Sequence, residues 1–240
     1  MYFDAVRSRL REARGVVFVT GAGISQESGI PTFRGGDGHW RNHDPMRLAT
    51  IDAFYDDPEL VWGWYDERRR NVLSARPNAG HRAISELGRF TEVVVLTQNI
   101  DGLHKRAGSS NVLELHGSII RIKCTACDYN DEIRSGFESL PPACKCGSML
   151  RPDVVWFGEP LPQKVWGDAV GYSSRAEVMI IAGTSLAVSP ANTLPMHAKQ
   201  NGALLIEINP EKTMMSGEMD VSIRETSSAV LPELLGVFEG

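Results

Sequence analysis

Five continuous apolar runs restrict the fold of this chain more than any other feature. They are "GVVFVTG" (15–21), "EVVVLTQN" (92–99), "NVLELHG" (111–117), "AEVMIIAGTS" (176–185) and "ALLIEINP" (203–210). A strand with one wet face alternates apolar and polar residues, whereas unbroken Val, Ile and Leu runs suit a parallel sheet covered on both faces. Helix-like stretches between the runs, such as "NAGHRAISELGRF" and "PANTLPMHAKQNG", supply the crossovers. The alternation predicts a doubly wound α/β domain. Two segments interrupt it. One, about 35–76, is rich in Trp, Tyr and charge, and the other, about 123–150, holds every cysteine. Strands flank both, so they read as two inserts building one small domain, which leaves 1–34, 77–122 and 151–240 for the large one. A chain of 240 residues can bury cores for both.

The cysteines form a CxxC pair, Cys124 and Cys127, and a CxC pair, Cys144 and Cys146. In a reducing compartment such clustering favours a metal over disulfides, and four thiolates close a tetrahedral structural zinc site with no open position for catalysis. "CKC" is one residue shorter than the usual knuckle, so incomplete or oxidisable thiols stay as the alternative.

Composition narrows the partners. A formal charge of −5 argues against a sequence-independent grip on nucleic acid, which runs on clustered Lys and Arg. The opening "MYFDAVRSRLREARG" mixes acids among its arginines and reads as an amphipathic helix rather than a signal. No apolar run approaches the ~18 residues that a membrane span needs. The expected location is cytoplasmic.

Chemistry gathers at the ends of the runs. The first leads into Gly21-Ala22-Gly23, a turn that could bring backbone N–H groups to a pyrophosphate, although Gln26 stands where a dinucleotide fingerprint has its third glycine. The continuation "SGIPTFR" is polar and ends on Phe33 and Arg34, suited to a loop over a bound cofactor. "TQNIDGLH" places Gln98, Asn99 and Asp101 at the end of a second strand, where open α/β sheets bind ligands; an Asx-turn capping the next helix explains Asn99 and Asp101 nearly as well. "GTS" (183–185), "EIN" (207–209) and His116 end three further strands, so the polar ends outline one crevice. A lone histidine at a strand end is more often structural than catalytic.

Taken in order, "GAGIS", "GIPTFR", "TQNID", "LHG", the cysteine pairs, "RPDVVWFGE", "GTS" and "EINP" resemble the sirtuins, NAD-dependent protein-lysine deacylases, over nearly the whole chain from about residue 15. The resemblance implies a Rossmann-like large domain, a small domain of helical and zinc modules, and a cleft between them for NAD and an acyl-lysine protein substrate. It assigns Gly21, Ala22, Gly23, Thr32, Phe33 and Arg34 to the cofactor loop. Gln98 and Asn99 would face the nicotinamide-side ribose, and Ile100 and Asp101 would hold the carboxamide. Gly183, Thr184 and Ser185 would line the pyrophosphate and adenosine ribose, with Asn209, Pro210, Glu211 and Ser227 on the adenosine side. His116, with Asn99, becomes catalytic: the acyl oxygen attacks the ribose, nicotinamide leaves, and the histidine deprotonates a ribose hydroxyl. An imidazole with an ordinary pKa of about 6.5 suits that task.

The same resemblance gives Val155, Trp156 and Phe157 to the substrate approach, on an edge strand predicted for "DVVWFGE"; as an alternative the aromatics are core. Tyr65 and Arg68 stand three apart on a predicted helix and share a face. Together with the small Ala49 they match the branch that removes succinyl and malonyl groups, where the pair reads the acyl carboxylate. A solvated charged surface is the competing reading of "DERRR". Two other activities fit much of the same sequence: an NAD-dependent ADP-ribosyltransferase, and a non-catalytic module that senses NAD. A sensor has no use for a base.

Overall fold

The computed structural model describes residues 2–32 and 44–235, so Phe33 and Arg34 lie outside the described residues. In chain order its helices and strands are α1 (Tyr2–Glu12), β1 (Gly15–Thr20), α2 (Pro45–Leu48), α3 (Ile51–Asp56), α4 (Pro58–Ser74), α5 (Ala79–Leu87), β2 (Glu92–Thr97), α6 (Leu103–Arg106), β3 (Val112–Glu114) and β4 (Gly117–Cys124). Then follow β5 (Asn130–Glu132), β6 (Leu150–Val154), α7 (Gln163–Arg175), β7 (Val178–Ala182), α8 (Leu194–Gln200), β8 (Leu204–Ile208), β9 (Val221–Ile223) and α9 (Ser227–Leu235).

The apolar runs supply a six-stranded parallel sheet in the order β3-β2-β1-β7-β8-β9. Successive residues of one strand enter different cores, which is why the runs do not alternate. Phe18, Val95 and Ile180 pack with Leu10 of α1, Ile84 of α5 and Leu231 of α9. Val17, Val19, Leu96 and Ile181 face Ala169 of α7 and Leu194 of α8 instead. Each fully buried Leu, Ile or Phe contributes roughly 1.5–3 kcal/mol, so both faces stabilise the sheet. The chain order jumps from β1 to β7 beside β2, and that reversal opens a crevice at the strands' carboxyl ends.

A second sheet is antiparallel, in the order β5-β4-β6. It takes in Gly117–Cys124 and Leu150–Val154, and so reaches past both ends of the 123–150 insert drawn from sequence. The helical insert packs on it. Phe54, Val61, Trp62 and Tyr65 share one core with Ile119, Ile122, Leu150 and Trp156. Polar bonds fix the join: Trp62 Nε1 donates to the Leu150 carbonyl at 2.7 Å, and Arg69, 1% exposed, donates to the carbonyls of Ile133 and Ser135. Among the described residues no helix is long and apolar enough to cross a membrane.

Two expected strands end early. "NVLELHG" is a strand only over Val112–Glu114, after which Leu115 and His116 form a turn into β4. "DVVWFGE" stops at Val154 because the chain bends back on itself: Glu159 accepts Arg151 through both oxygens, at 2.6 and 2.8 Å, and also caps Trp156 N–H. Gly158 turns there at φ 87.

Candidate active site

One cleft of about 560 Å³ runs along the carboxyl edge of the parallel sheet and under the small sheet. Gly21, Ala22, Gly23, Thr32, Gln98, Asn99, Ile100, Gly183, Thr184, Ser185, Asn209, Pro210, Glu211 and Ser227 line it, as do His116, Ala49, Tyr65, Arg68, Val155, Trp156 and Phe157. Of the described residues that the resemblance assigns to this cleft, Asp101 alone is absent from the lining; Glu207 of "EIN", expected at the crevice as a polar strand end, is instead fully buried in β8. Asp101 lies just behind, 4% exposed, where burial pushes its carboxyl up and it accepts Ser25 Oγ at 2.7 Å and Leu103 N–H at 2.9 Å.

The glycine turn packs against the end of the neighbouring strand. Gly21 N–H donates to the Ala182 carbonyl and Gly23 N–H to the Gly183 carbonyl, so those two donors are spent on the neighbouring strand end. A Cβ on Gly23 would sit 2.8 Å from Gly183 Cα, and one on Gly183, at φ 61, would sit 2.3 Å from Ile24 N. The glycines let two strand ends cross backbone to backbone, and this holds the cradle open where a side chain would fill it. That shape, with polar strand ends around it, fits a dinucleotide.

Gln98 Nε2 donates to Thr184 Oγ1 at 2.9 Å and ties the β2 end to the β7 end. Asn99, 6% exposed, donates to the Gly21 carbonyl and to Ser25 Oγ, at 3.0 and 3.1 Å. Behind them lies a polar layer that the sequence reading missed. Ser25 bridges Asn99, Asp101 and His81, while His104 meets Thr20 Oγ1 at 2.9 Å and its ring lies 4.8 Å from that of His81, tilted by 58°. Burial pushes His81 down to about 4 and His104 well below its ordinary value, so both are neutral. The only signal was two histidines at apolar-looking helical positions.

His116 has an assigned tautomer. Its Nδ1 lies 2.9 Å from the Gln98 carbonyl, which can only accept, so Nδ1 carries the hydrogen and Nε2 keeps a lone pair. Burial lowers its pKa below the ordinary 6.5, against an opposing pull from the Gln98 bond. The ring is a neutral base at pH 7. Gly117 sets its place: a Cβ there would lie 2.1 Å from the Asp153 carbonyl, and glycine at φ 79 allows β4 to pair at once with β6. The same turn brings Val155 N–H to the His116 carbonyl at 3.0 Å.

The wall under the small sheet holds the acyl-reading candidates. Tyr65 is 4% exposed on α4, and its oxygen accepts Trp156 Nε1–H at 2.9 Å. Indole nitrogen can only donate, so the phenol hydrogen points elsewhere. Burial raises the Tyr65 pKa, against the nearby Arg68 charge, and the phenol stays protonated. The Arg68 guanidinium lies 4.3 Å over the Trp64 ring and 5.4 Å from the Tyr65 ring. The "DERRR" run divides. Arg69 is buried against Asp66 at 2.6 Å, Glu67 and Arg70 are exposed, and Arg68 lines the cleft. Trp156 is 2% exposed, under Arg151 at 3.5 Å, whereas Phe157 is 42% exposed.

The four cysteine sulfurs lie within 4.8 Å of one another, with Cys124–Cys146 at 3.5 Å and Cys127–Cys144 at 3.8 Å. Zinc–sulfur bonds of about 2.3 Å in a tetrahedron need sulfurs roughly 3.8 Å apart, and disulfides need about 2.05 Å. The set fits zinc. The short CxC pair is accommodated by a tight turn, Gly147 N–H donating to the Cys144 carbonyl with Gly147 at φ 89. None of the four lines the cleft. We therefore expect about one equivalent of zinc in purified protein. Chelation should melt the small sheet and abolish activity through loss of the cleft's upper wall. Metal-free protein with unchanged melting and full activity would remove the ion from the account.

The Sir2 family model matches residues 21–190. The NAD-dependent protein deacylase of Aeropyrum pernix is 53% identical over 217 residues, which cover 90% of this chain and 89% of the relative. That of Mycobacterium tuberculosis is 47% identical over 227 residues, covering 92% and 96%. A crystal structure of a Sir2 homologue with NAD superposes with a TM-score of 0.94 at 46% identity, over 98% of this chain and 93% of that one. A Sir2 complex with a p53 peptide and NAD+ gives 0.89 at 34% identity, over 100% and 99%.

Proposed function

The chain is a member of the Sir2 family and an NAD-dependent protein deacylase, and on that premise we propose that it removes succinyl and malonyl groups from protein lysines as well as acetyl. One observation carries the acyl reading. The same cleft that holds a neutral His116 is lined on its other wall by a guanidinium and a phenol whose oxygen already accepts from Trp156. Two donors there suit a carboxylate, which is acceptor-only when ionised.

Bound NAD supplies a ribose carbon whose bond to nicotinamide can break, and it would be held by the glycine crossing, Gln98, Asn99 and the strand ends to Glu211 and Ser227. The rest is the chain's own chemistry. Asn99 is pinned to the Gly21 turn and orients the ribose side, with Ser25 and Asp101 fixing it from behind. His116 Nε2 accepts a proton from a ribose hydroxyl, and the positive ring that results is stabilised by its Gln98 bond. Val155 and Phe157 would guide the acyl-lysine peptide, their own N–H groups being engaged by His116 and Ala49. Ala49, small and 6% exposed, leaves room for a longer acyl chain. Four thiolates kept for zinc would suit a reducing compartment, which supports reading the location as cytoplasmic.

The test compares succinyl-lysine with butyryl-lysine in one peptide, two acyl groups of equal chain length that differ in the distal carboxylate. Higher kcat/KM on the succinyl peptide is expected. A preference for butyryl would reduce Tyr65 and Arg68 to packing and leave a plain deacetylase.

A further inference from the structure

Glu207 is a carboxylate in the parallel sheet with no exposed surface, and the reaction above does not use it. Its oxygens accept Thr213 Oγ1 at 2.5 Å, Ser216 Oγ at 2.7 Å, Ser222 Oγ at 3.3 Å and Arg224 Nη2 at 2.6 Å. Burial pushes its pKa up, but the bonds from Thr213, Ser216 and Arg224 outweigh that and hold it below the ordinary carboxylate value. Arg224, just past β9, reaches further. Its Nη1 donates to the carbonyls of Asn209 and Glu211, at 3.3 and 3.1 Å, and Nη2 to Ser216 Oγ at 3.1 Å. Asn209 closes the turn from inside, donating Nδ2 to the Glu211 carbonyl at 2.9 Å.

Asn209, Pro210 and Glu211 line the cleft, whereas Glu207 and Arg224 do not. We propose that the Glu207–Arg224 pair is a brace that presets the adenosine-side wall of the cofactor cleft, making Arg224 a positioning residue for NAD affinity. This rests on reading that wall as the adenosine side. The backbone carbonyls of a turn have no intrinsic reason to converge on one guanidinium, and a chain that must order this turn on binding loses affinity by the fraction of molecules already in shape. The brace acts on binding alone, because it follows β8 and β9 at one side of the sheet, whereas His116 follows β3 at the other.

The experiment uses the full chain. Steady-state kcat and KM for NAD are measured at saturating acyl peptide, and Kd for AMP by calorimetry, in the unmutated protein, Arg224→Met and Arg224→Lys. Arg224→Met should raise the NAD KM and the AMP Kd together by about tenfold while kcat stays within about twofold. Arg224→Lys keeps the charge against Glu207 but not the fork to both carbonyls, and should recover part of the loss. Unchanged NAD KM and AMP Kd in Arg224→Met, or a fall in kcat alone, overturns the brace. Should Arg224→Met fail to fold, Ser216→Ala removes one hydroxyl of the same cluster: a rise of about threefold in both constants supports the brace, and none overturns it. AMP that fails to compete with NAD in the unmutated protein overturns the adenosine reading itself and the brace with it.

Discussion

His116→Ala is expected to lower kcat by about 10²–10⁴-fold while NAD still binds and the melting temperature holds, because the substitution removes a base and little else. His116 is only half-buried, and the bond it loses is to a backbone carbonyl at the cleft. The pH profile adds an independent check. Since burial depresses the imidazole pKa, the acid limb of the rate profile should be centred below 6.5, where the ring protonates. An acid limb centred above 6.5, or near-normal turnover by His116→Ala, would take His116 out of the mechanism.

Arg68→Met is expected to cut desuccinylation by about 10- to 100-fold and to leave deacetylation nearly unchanged. A charge-assisted hydrogen bond contributes about 1.5–3 kcal/mol, and tenfold corresponds to about 1.4 kcal/mol. Acetyl-lysine has no distal carboxylate to lose. Tyr65→Phe should act in the same direction with a smaller effect and a side cost. The Trp156 indole N–H would lose its acceptor inside the core, which destabilises by about 1–3 kcal/mol and lowers the melting temperature. Equal losses on both acyl groups from Arg68→Met would mean that the arginine supports α4 through its contacts with Trp64 and Tyr65 rather than reading the acyl group.

Strand runs with two buried faces and polar residues at their ends were legible because periodicity and strand-end chemistry are local properties. The parallel sheet and the cleft edge followed from them, and the cysteine cluster from the equally local CxxC and CxC spacings. What stayed hidden was set by tertiary packing. The "LHG" strand ends at Glu114 because Gly117 must pair immediately with Val154, and "DVVWFGE" folds back because Arg151 and Glu159 meet across a turn. The glycine turn signalled close approach correctly, yet the approaching backbone is Gly183 of the next strand, a partner distant in sequence. His81 lay in no motif, and Ser25 and Glu207, although they lie in "GAGIS" and "EINP", were given no role of their own. Each is polar in an apolar setting, and its partners come from other elements.

The central claim is that one cleft transfers an acyl group from lysine to the ribose of NAD. One peptide, prepared in acetyl, succinyl and malonyl forms and incubated with and without NAD, tests it by mass. The account predicts free lysine peptide, nicotinamide and the matching acyl-ADP-ribose in equal amounts, from all three forms, only when NAD is present. ADP-ribose attached to the peptide with its acyl group retained, or nicotinamide release with no acyl-ADP-ribose, would contradict it.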